Sequence, residues 1–247
     1  NAGILTGLVG HSQGLGLEII PYGITQSSKV YDEEKAEYSS ASSMDLGFDL
    51  NYNITSQLKA SITYNTDFAQ TEVDNRQINL TRFHLRFPEK RDFFLEGSSI
   101  LEFAPSSNVD PYFSRRIGLV NGIPIPIKYG GRLIGNIGKS NIALLHVRTG
   151  REGELNPENF SVARYRRNFW KESSIGLIYT HRSTEDDILF GNPIQDRNTW
   201  GTDLNLSTSE FLGDNTLQFS AFFIAHNPAL PSDDSTSISD RSVRGVR

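Results

Sequence analysis

Between Asp45 and Ile54 apolar and polar side chains alternate without a break. Leu46, Phe48, Leu50, Tyr52 and Ile54 fall on one side, and Asp45, Gly47, Asp49, Asn51 and Asn53 on the other. Period two marks a half-covered β-strand, and a run of about ten residues is what a tilted strand needs to cross a bilayer. From Gln57 to Tyr64 the pattern repeats, with Leu58, Ala60, Ile62 and Tyr64 against Gln57, Lys59, Ser61 and Thr63. Only Thr55 and Ser56 separate the two runs, which predicts a hairpin. Further strands are predicted at Gly14 to Ile24, Asn141 to Val147, Ser174 to His181, Thr202 to Thr208 and Thr216 to Ile224. Polar or glycine-bearing turns fall at 136–139, 171–173 and 213–215. The polar, acidic stretch from Gln26 to Ser43 reads as a loop, and Asn227 to Arg247, with Pro228 and Pro231, as a loop or tail.

Many short strands at this spacing predict an all-β antiparallel meander closed as a barrel or stacked as a sandwich. Ten-residue strands, with short connections on one side and long ones on the other, favour an outer-membrane-type transmembrane β-barrel or part of one. No run of about 18 apolar residues occurs, so a transmembrane helix is excluded, whereas a membrane barrel is not. The expected organisation is one barrel region. It comprises first strands in 1–64, a charged segment in 65–130, further hairpins in 131–226 and a loop or tail in 227–247.

The charged segment is the densest feature of the chain. Asp67, Glu72, Asp74, Glu89 and Glu96 are mixed with Arg76, Arg82, Arg91, Arg115 and Arg116, among Phe68, Phe83, Phe87, Phe93 and Phe94. Buried charges are costly unless paired, and arginine meets carboxylates in a planar, two-point geometry. The segment is therefore expected to fold inward as a plug or lumen lining with a small phenylalanine core. Asp67, Glu72, Asp74, Glu89, Arg91, Glu96, Arg115 and Arg116 are its candidate contacts.

The runs YNTDFAQTEVDNRQINLTRF, FPEKRDFFLEG, FSRRIGL and IPIKYGGRLIGNIG resemble bacterial proteins that contain a carbohydrate-binding family nine domain. The resemblance extends from about Leu17 to about Asn227 and implies the first part of the β-barrel region that follows the binding-like domain in those proteins. It implies a place in the bacterial outer membrane, with lipid as a partner, and it implies no settled activity. This chain departs from the family in having Thr66 where a proline is common. It also closes on RSVRGVR rather than on a strand with a terminal aromatic. A partial barrel leaves unpaired strand edges, so further strands of the same protein or another chain are expected to complete the wall.

The remaining motifs are weak. Gly10-His11-Ser12-Gln13-Gly14 matches the nucleophile elbow, but a glycine-rich strand rather than a helix follows it. Gly135 to Ser140 lacks the first glycine of a phosphate loop and reads as a turn. The five histidines are scattered singly, no EF-hand spacing occurs and there are no cysteines, so no metal and no cofactor are expected. A net charge of -5 argues against nucleic acid. Tyr22, Tyr52, Tyr64, Trp170, Tyr179 and Trp200 fall near strand ends, where interfacial aromatic girdles lie.

Two functions compete. One is passage or docking of a solute, glycan or polymer through a charged lumen, without an enzymatic step. The other is a soluble β-sandwich that binds carbohydrate or protein, or a serine hydrolase using Ser12.

Overall fold

The computed structural model describes residues 16–32, 37–66, 88–105, 107, 109–120, 123–153, 155–184, 195–213, 215–227 and 241–246. Twelve strands occur among them: β1 (Leu17–Asp32), β2 (Glu37–Thr55), β3 (Leu58–Thr66), β4 (Leu119–Val120), β5 (Ile123–Pro124), β6 (Ile127–Ile137), β7 (Ser140–Thr149), β8 (Glu158–Phe169), β9 (Ser173–Thr184), β10 (Gln195–Phe211), β11 (Asn215–Asn227) and β12 (Arg241–Val246). Two single-turn helices, α1 (Asp92–Leu95) and α2 (Ser98–Leu101), and a 3-10 turn at Ser114–Arg116 lie between β3 and β6.

Ten strands form one sheet in the order β1-β2-β3-β6-β7-β8-β9-β10-β11-β12, joined by nine antiparallel pairings, while β4 and β5 make a separate hairpin. The chain is thus an all-β antiparallel meander, as expected, and its sheet is open: among the described residues β1 and β12 do not pair. The connections are strongly asymmetric. At one end of the sheet they take two or three residues (56–57, 138–139, 170–172, 212–214). At the other end lie 33–36, 67–126, 150–157, 185–194 and 228–240.

Several sequence expectations are corrected. The polar stretch 26–43 is largely strand, because β1 runs on to Asp32 and β2 starts at Glu37. The expected tail contains β12, which pairs with β11 from Ala221 to His226. β8 carries no clean apolar alternation in the sequence and was not expected, yet it pairs along nearly its whole length with β7 and β9.

Side chains alternate between the two faces of a strand, so the registers sort the sheet. One unbroken row, Leu17–Tyr52–Ala60–Leu133–Leu144–Ala163–Tyr179–Trp200–Ala225, crosses nine strands on one face. Among the described residues that face is bare: Leu144 is 46% exposed, and Leu46, Ile62, Leu177 and Phe219 are exposed with it. The opposite face is covered over β6 to β9, though not at the β1 edge, where Ile20 is exposed. Leu145, next to Leu144 in the chain, is 4% exposed. It belongs to a core in which Phe94, Leu101 and Ile117 of the β3–β6 connection pack on Ile127, Ile134, Ala143, Val147, Phe160 and Val162 of the sheet. A second core sets Phe103 on Ile178 and Ile224.

Candidate functional site

The covered face, with the connection that lies on it, gathers the buried charge. Arg132 projects from β6 beneath α1 and α2. Its Nη1 donates to the carbonyl oxygens of Phe93 and Glu96, at 2.5 and 2.9 Å. Its Nη2 donates to Ser61 Oγ at 3.1 Å and to Glu96 Oε2 at 2.7 Å. Lys59, on β3, donates to both carboxylate oxygens of Glu96 at 2.9 Å. Burial alone would raise the Glu96 pKa, but hydrogen bonding from Lys59 and the charge of Arg132 hold it below the usual carboxylate range. Gly97 makes this approach feasible. It sits at φ +69 between the two helical turns, and a Cβ there would stand 2.7 Å from Ile134 Cδ1.

A second cluster is internal to the covering segment. Arg91 and Glu89 form a two-point pair, with Nη2 2.7 Å from Oε2 and Nε 2.8 Å from Oε1, both side chains nearly buried. Arg91 also donates to the carbonyls of Ile117 at 2.6 Å and Ser114 at 2.8 Å, and its guanidinium lies 4.1 Å from the centre of the Phe94 ring. Burial would lift the Glu89 carboxyl, but the hydrogen bond and charge of Arg91, helped by Ser114, carry it down to about 2. Tyr112 lies between the two cores; burial, then the charge of Glu89, pushes its phenol up, so it stays neutral.

The third pair spans strands. Arg164 of β8 is 1% exposed and reaches across β9 to Asp203 of β10, with Nη1–Oδ1 at 2.5 Å and Nη2–Oδ2 at 2.9 Å. The residue of β9 beneath the bridge is Gly176, which pairs with Asp203 in register. A Cβ there would stand 2.5 Å from Arg164 Nη1 and 2.6 Å from Asp203 Oδ1. The absence of a side chain opens the path for the ion pair. Phe103 closes it from above, with the guanidinium 5.7 Å from its ring centre.

Of the expected site residues, Glu89, Arg91 and Glu96 take part in these clusters. Arg115 is buried at the 3-10 turn and Arg116 is exposed. Asp67, Glu72 and Asp74, like Ser12, Phe68, Phe83 and Phe87, lie outside the described residues. Phe93 and Phe94 do pack together, edge to face at 5.1 Å. Sequence reasoning missed Lys59, Arg132, Arg164 and Asp203. Among the described residues no group of three or more histidine or acidic side chains is placed to hold a metal ion.

The bare face has its own geometry. In the two outward rows above the continuous one, β1, β2, β3 and β6 present Pro21, Phe48, Tyr64 and Tyr129, then Ile19, Leu50, Ile62 and Gly131. From β7 onward the same rows turn polar, with Arg148, Asn159, Ser183 and Asp196, then His146, Ser161, His181 and Asn198. The apolar band therefore runs diagonally across the strands. Tyr179 packs against Trp200 at its upper edge, the rings tilted by 37° with their centres 4.1 Å apart. Tyr22 is the exception among the expected girdle aromatics. It turns to the opposite face, where its hydroxyl donates to the carbonyls of Tyr64 and Asn65 at 3.3 and 3.4 Å.

Residues 14–125 match a family described as Domain of unknown function (DUF5916). The matched part takes in β1 to β3 and the charged connection, and it is similar to an uncharacterised domain without any shown link to the carbohydrate-binding family nine proteins. No curated protein and no solved structure matches the chain.

Proposed function

We propose that this chain builds part of the wall of an outer-membrane-type β-barrel, and that residues 88–126 are its inward-folded plug. The barrel governs passage or docking of a solute, glycan or polymer through a charged lumen. This proposal rests on the continuous apolar row across nine strands, uncovered on its outer side while charged side chains are gathered and paired on the other. A bilayer supplies what water does not: burial of that face at about 25 cal/mol for each Å² removed from water.

The slant of the band supports the same reading. On β2 the outward apolar run begins at Met44, eight residues above Tyr52. On β10, six strands away, it begins at Trp200, in the row of Tyr52 itself. At the lower edge the run ends at Ile54 on β2 and at Leu206 on β10, a shift of four residues. The mean shift of about six residues over six strand spacings, at roughly 3.3 Å per residue and 4.8 Å per strand, corresponds to a tilt of about 35°. Strands of transmembrane barrels tilt by roughly 35–45°. On this reading the short turns face the periplasm, and the plug enters from the long-connection side.

A soluble sandwich would bury the same band under a second sheet. The described residues hold only the two-strand β4–β5 hairpin besides the main sheet, and it belongs to the covering segment. Further strands of the same protein or another chain would close the wall.

The test is reconstitution. The protein should require detergent, fractionate with outer membranes and migrate differently on gels with and without heating. In planar bilayers Arg132→Ala should raise single-channel conductance at least twofold by freeing α1 and α2. Detergent-independent solubility would end the proposal, and unchanged conductance would remove the plug from it.

A further inference from the structure

Two neighbouring short turns share an unusual backbone. Trp170, between β8 and β9, has φ 51, and Leu212, between β10 and β11, has φ 50. Bulky side chains rarely adopt this left-handed region, where glycine or asparagine is the ordinary occupant. Both are also the most exposed large apolar residues among those described, at 79% and 83%. Phe169 packs edge-on against Trp170 with ring centres 5.1 Å apart, and Phe211 flanks Leu212, itself exposed. The turns are tied together by Lys171 and Glu210, whose charged atoms lie 2.5 Å apart. An apolar medium at that spot would offset both the backbone strain and the exposure of the side chain.

We infer that these two turn tips are membrane anchors, inserted in the headgroup layer of the leaflet that faces the short turns. The inference rests on the membrane reading above and adds the depth and side at which the sheet is held. The registers fix the depth. The lowest outward apolar residue of the band is Ile175 on β9 and Leu217 on β11. The strand ends Ser173 and Asn215 lie two residues further down, opposite Phe169 and Phe211. Each tip is about one residue beyond those pairs. Three residues at roughly 3.3 Å and a 35° tilt place them about 8 Å below the hydrocarbon edge. The headgroup layer is roughly 5–8 Å thick on each side, and tryptophan is enriched there. Lys171, Glu172 and Glu210 beside the tips suit the wet half of that layer. Continuity with the apolar band is what selects lipid as the occupant.

The chain has two tryptophans, so single-tryptophan proteins are within reach. Trp200→Phe leaves Trp170, and Trp170→Phe leaves Trp200 as a reporter of the opposite edge of the band. Placing Leu212→Trp in the doubly substituted protein reports the second tip. The full chain is reconstituted in phosphatidylcholine vesicles carrying bromine near the headgroup end of the acyl chains, and aqueous iodide is titrated in parallel. Both tips should lose at least half their emission to the brominated lipid and show at least threefold less iodide quenching than free tryptophan. Strong bromine quenching of Trp200 with both tips open to iodide would overturn the anchors while leaving the membrane wall intact, and would hand the tips to a protein partner. Absence of bromine quenching at all three positions would overturn the membrane wall together with the anchors.

Discussion

Leu144 and Leu145 are neighbours on β7 with the same side chain and opposite fates. One lies bare on a face that no other described residue covers, and the other is sealed under Phe94, Leu101 and Ile117. The two faces of the sheet extend that contrast. On the bare face apolar residues outnumber their neighbours along a slanting band. On the covered face Arg132, Arg164 and Asp203 sit among aliphatic side chains, each in an ion pair. A soluble protein places its charges outward and its aliphatic side chains inward. Here the arrangement is partly inverted, and the covered face keeps a true hydrophobic core as well as buried ion pairs. The solvent on each side decides which residue each face can tolerate, and substitutions can test the two sides separately.

The largest effect is expected at Asp203. Asp203→Asn leaves the Arg164 guanidinium buried without a counter-charge, and breaking one partner of such a pair costs about 3–5 kcal/mol. Urea unfolding of the detergent-solubilised protein should show the loss. A change below about 1 kcal/mol would mean that water reaches the pair and that this face is not dry. Asp203→Leu in an Arg164→Met background should recover most of the stability, since a buried ion pair is often replaceable by apolar residues of similar volume.

Next comes the leucine pair. Leu145→Ala should cost about 2–5 kcal/mol in detergent, as core truncations do. Leu144→Ala should cost under about 1 kcal/mol, because its side chain meets solvent or lipid rather than packed protein. Equal losses at the two positions would show that another element covers the bare face, and would favour a sandwich.

How much of this was legible in the residues follows from the same physics. The period-two runs of β2, β3 and β11 were readable because their apolar side chains fall mainly on one face and their polar ones on the other, whereas β7, with core residues on its covered side, alternates only weakly. Where β1 and β2 extend beyond the apolar band, that difference vanishes. Tyr38 and Met44 bracket the polar positions Ser40 and Ser42, and the stretch reads as loop although the backbone stays paired up to the Asp32–Glu37 pair. β8 was hidden because Arg164 and Arg166 occupy its covered face and Arg167 the bare one, so charge falls on both sides. The charged block announced Glu89, Arg91 and Glu96 by its density. Nothing local announced Arg132 or Asp203, whose partners Glu96 and Arg164 lie 36 and 39 residues away. Nor did the sequence alone give Gly176 a role, since its reason is the side chains that pass over it.

On the bare face a charge is the sharper probe. Ile62 lies near the middle of the band on β3, half exposed, between Leu50 of β2 and Gly131 of β6. Ile62→Lys should cost about 2–4 kcal/mol of folding stability in vesicles, the range for a cation near the bilayer midplane, and close to nothing in a soluble protein. Comparing vesicle-folded protein with the same substitution at Ser42, above the band, isolates the depth dependence. Equal effects at the two positions would abolish the band as a lipid contact.

The smallest expected effect returns to the covered face and is set by pH. In the fold the Glu89 carboxyl is held at about 2, against an ordinary value of 4.5. A depressed carboxylate contributes its stability fully above the unfolded value and loses it as the pH falls towards the folded one. The window therefore runs from about pH 4.5 down to about pH 2, and the contribution is on the order of 2 kcal/mol once partial solvent screening is allowed for. Unfolding midpoints measured across that window should fall in the native protein and fall less in Glu89→Gln. That substitution keeps the shape of the side chain but gives Arg91 an uncharged partner. Because Arg91 also holds the carbonyls of Ser114 and Ile117, protonation should loosen the covering segment before the sheet. Tyr112, wedged between the two cores, should report it through a change in near-ultraviolet signal at a higher pH than the loss of strand signal. Coincident loss of both signals would mean that cover and sheet unfold as one unit, and that the ion pair inside the cover has no independent hold on it.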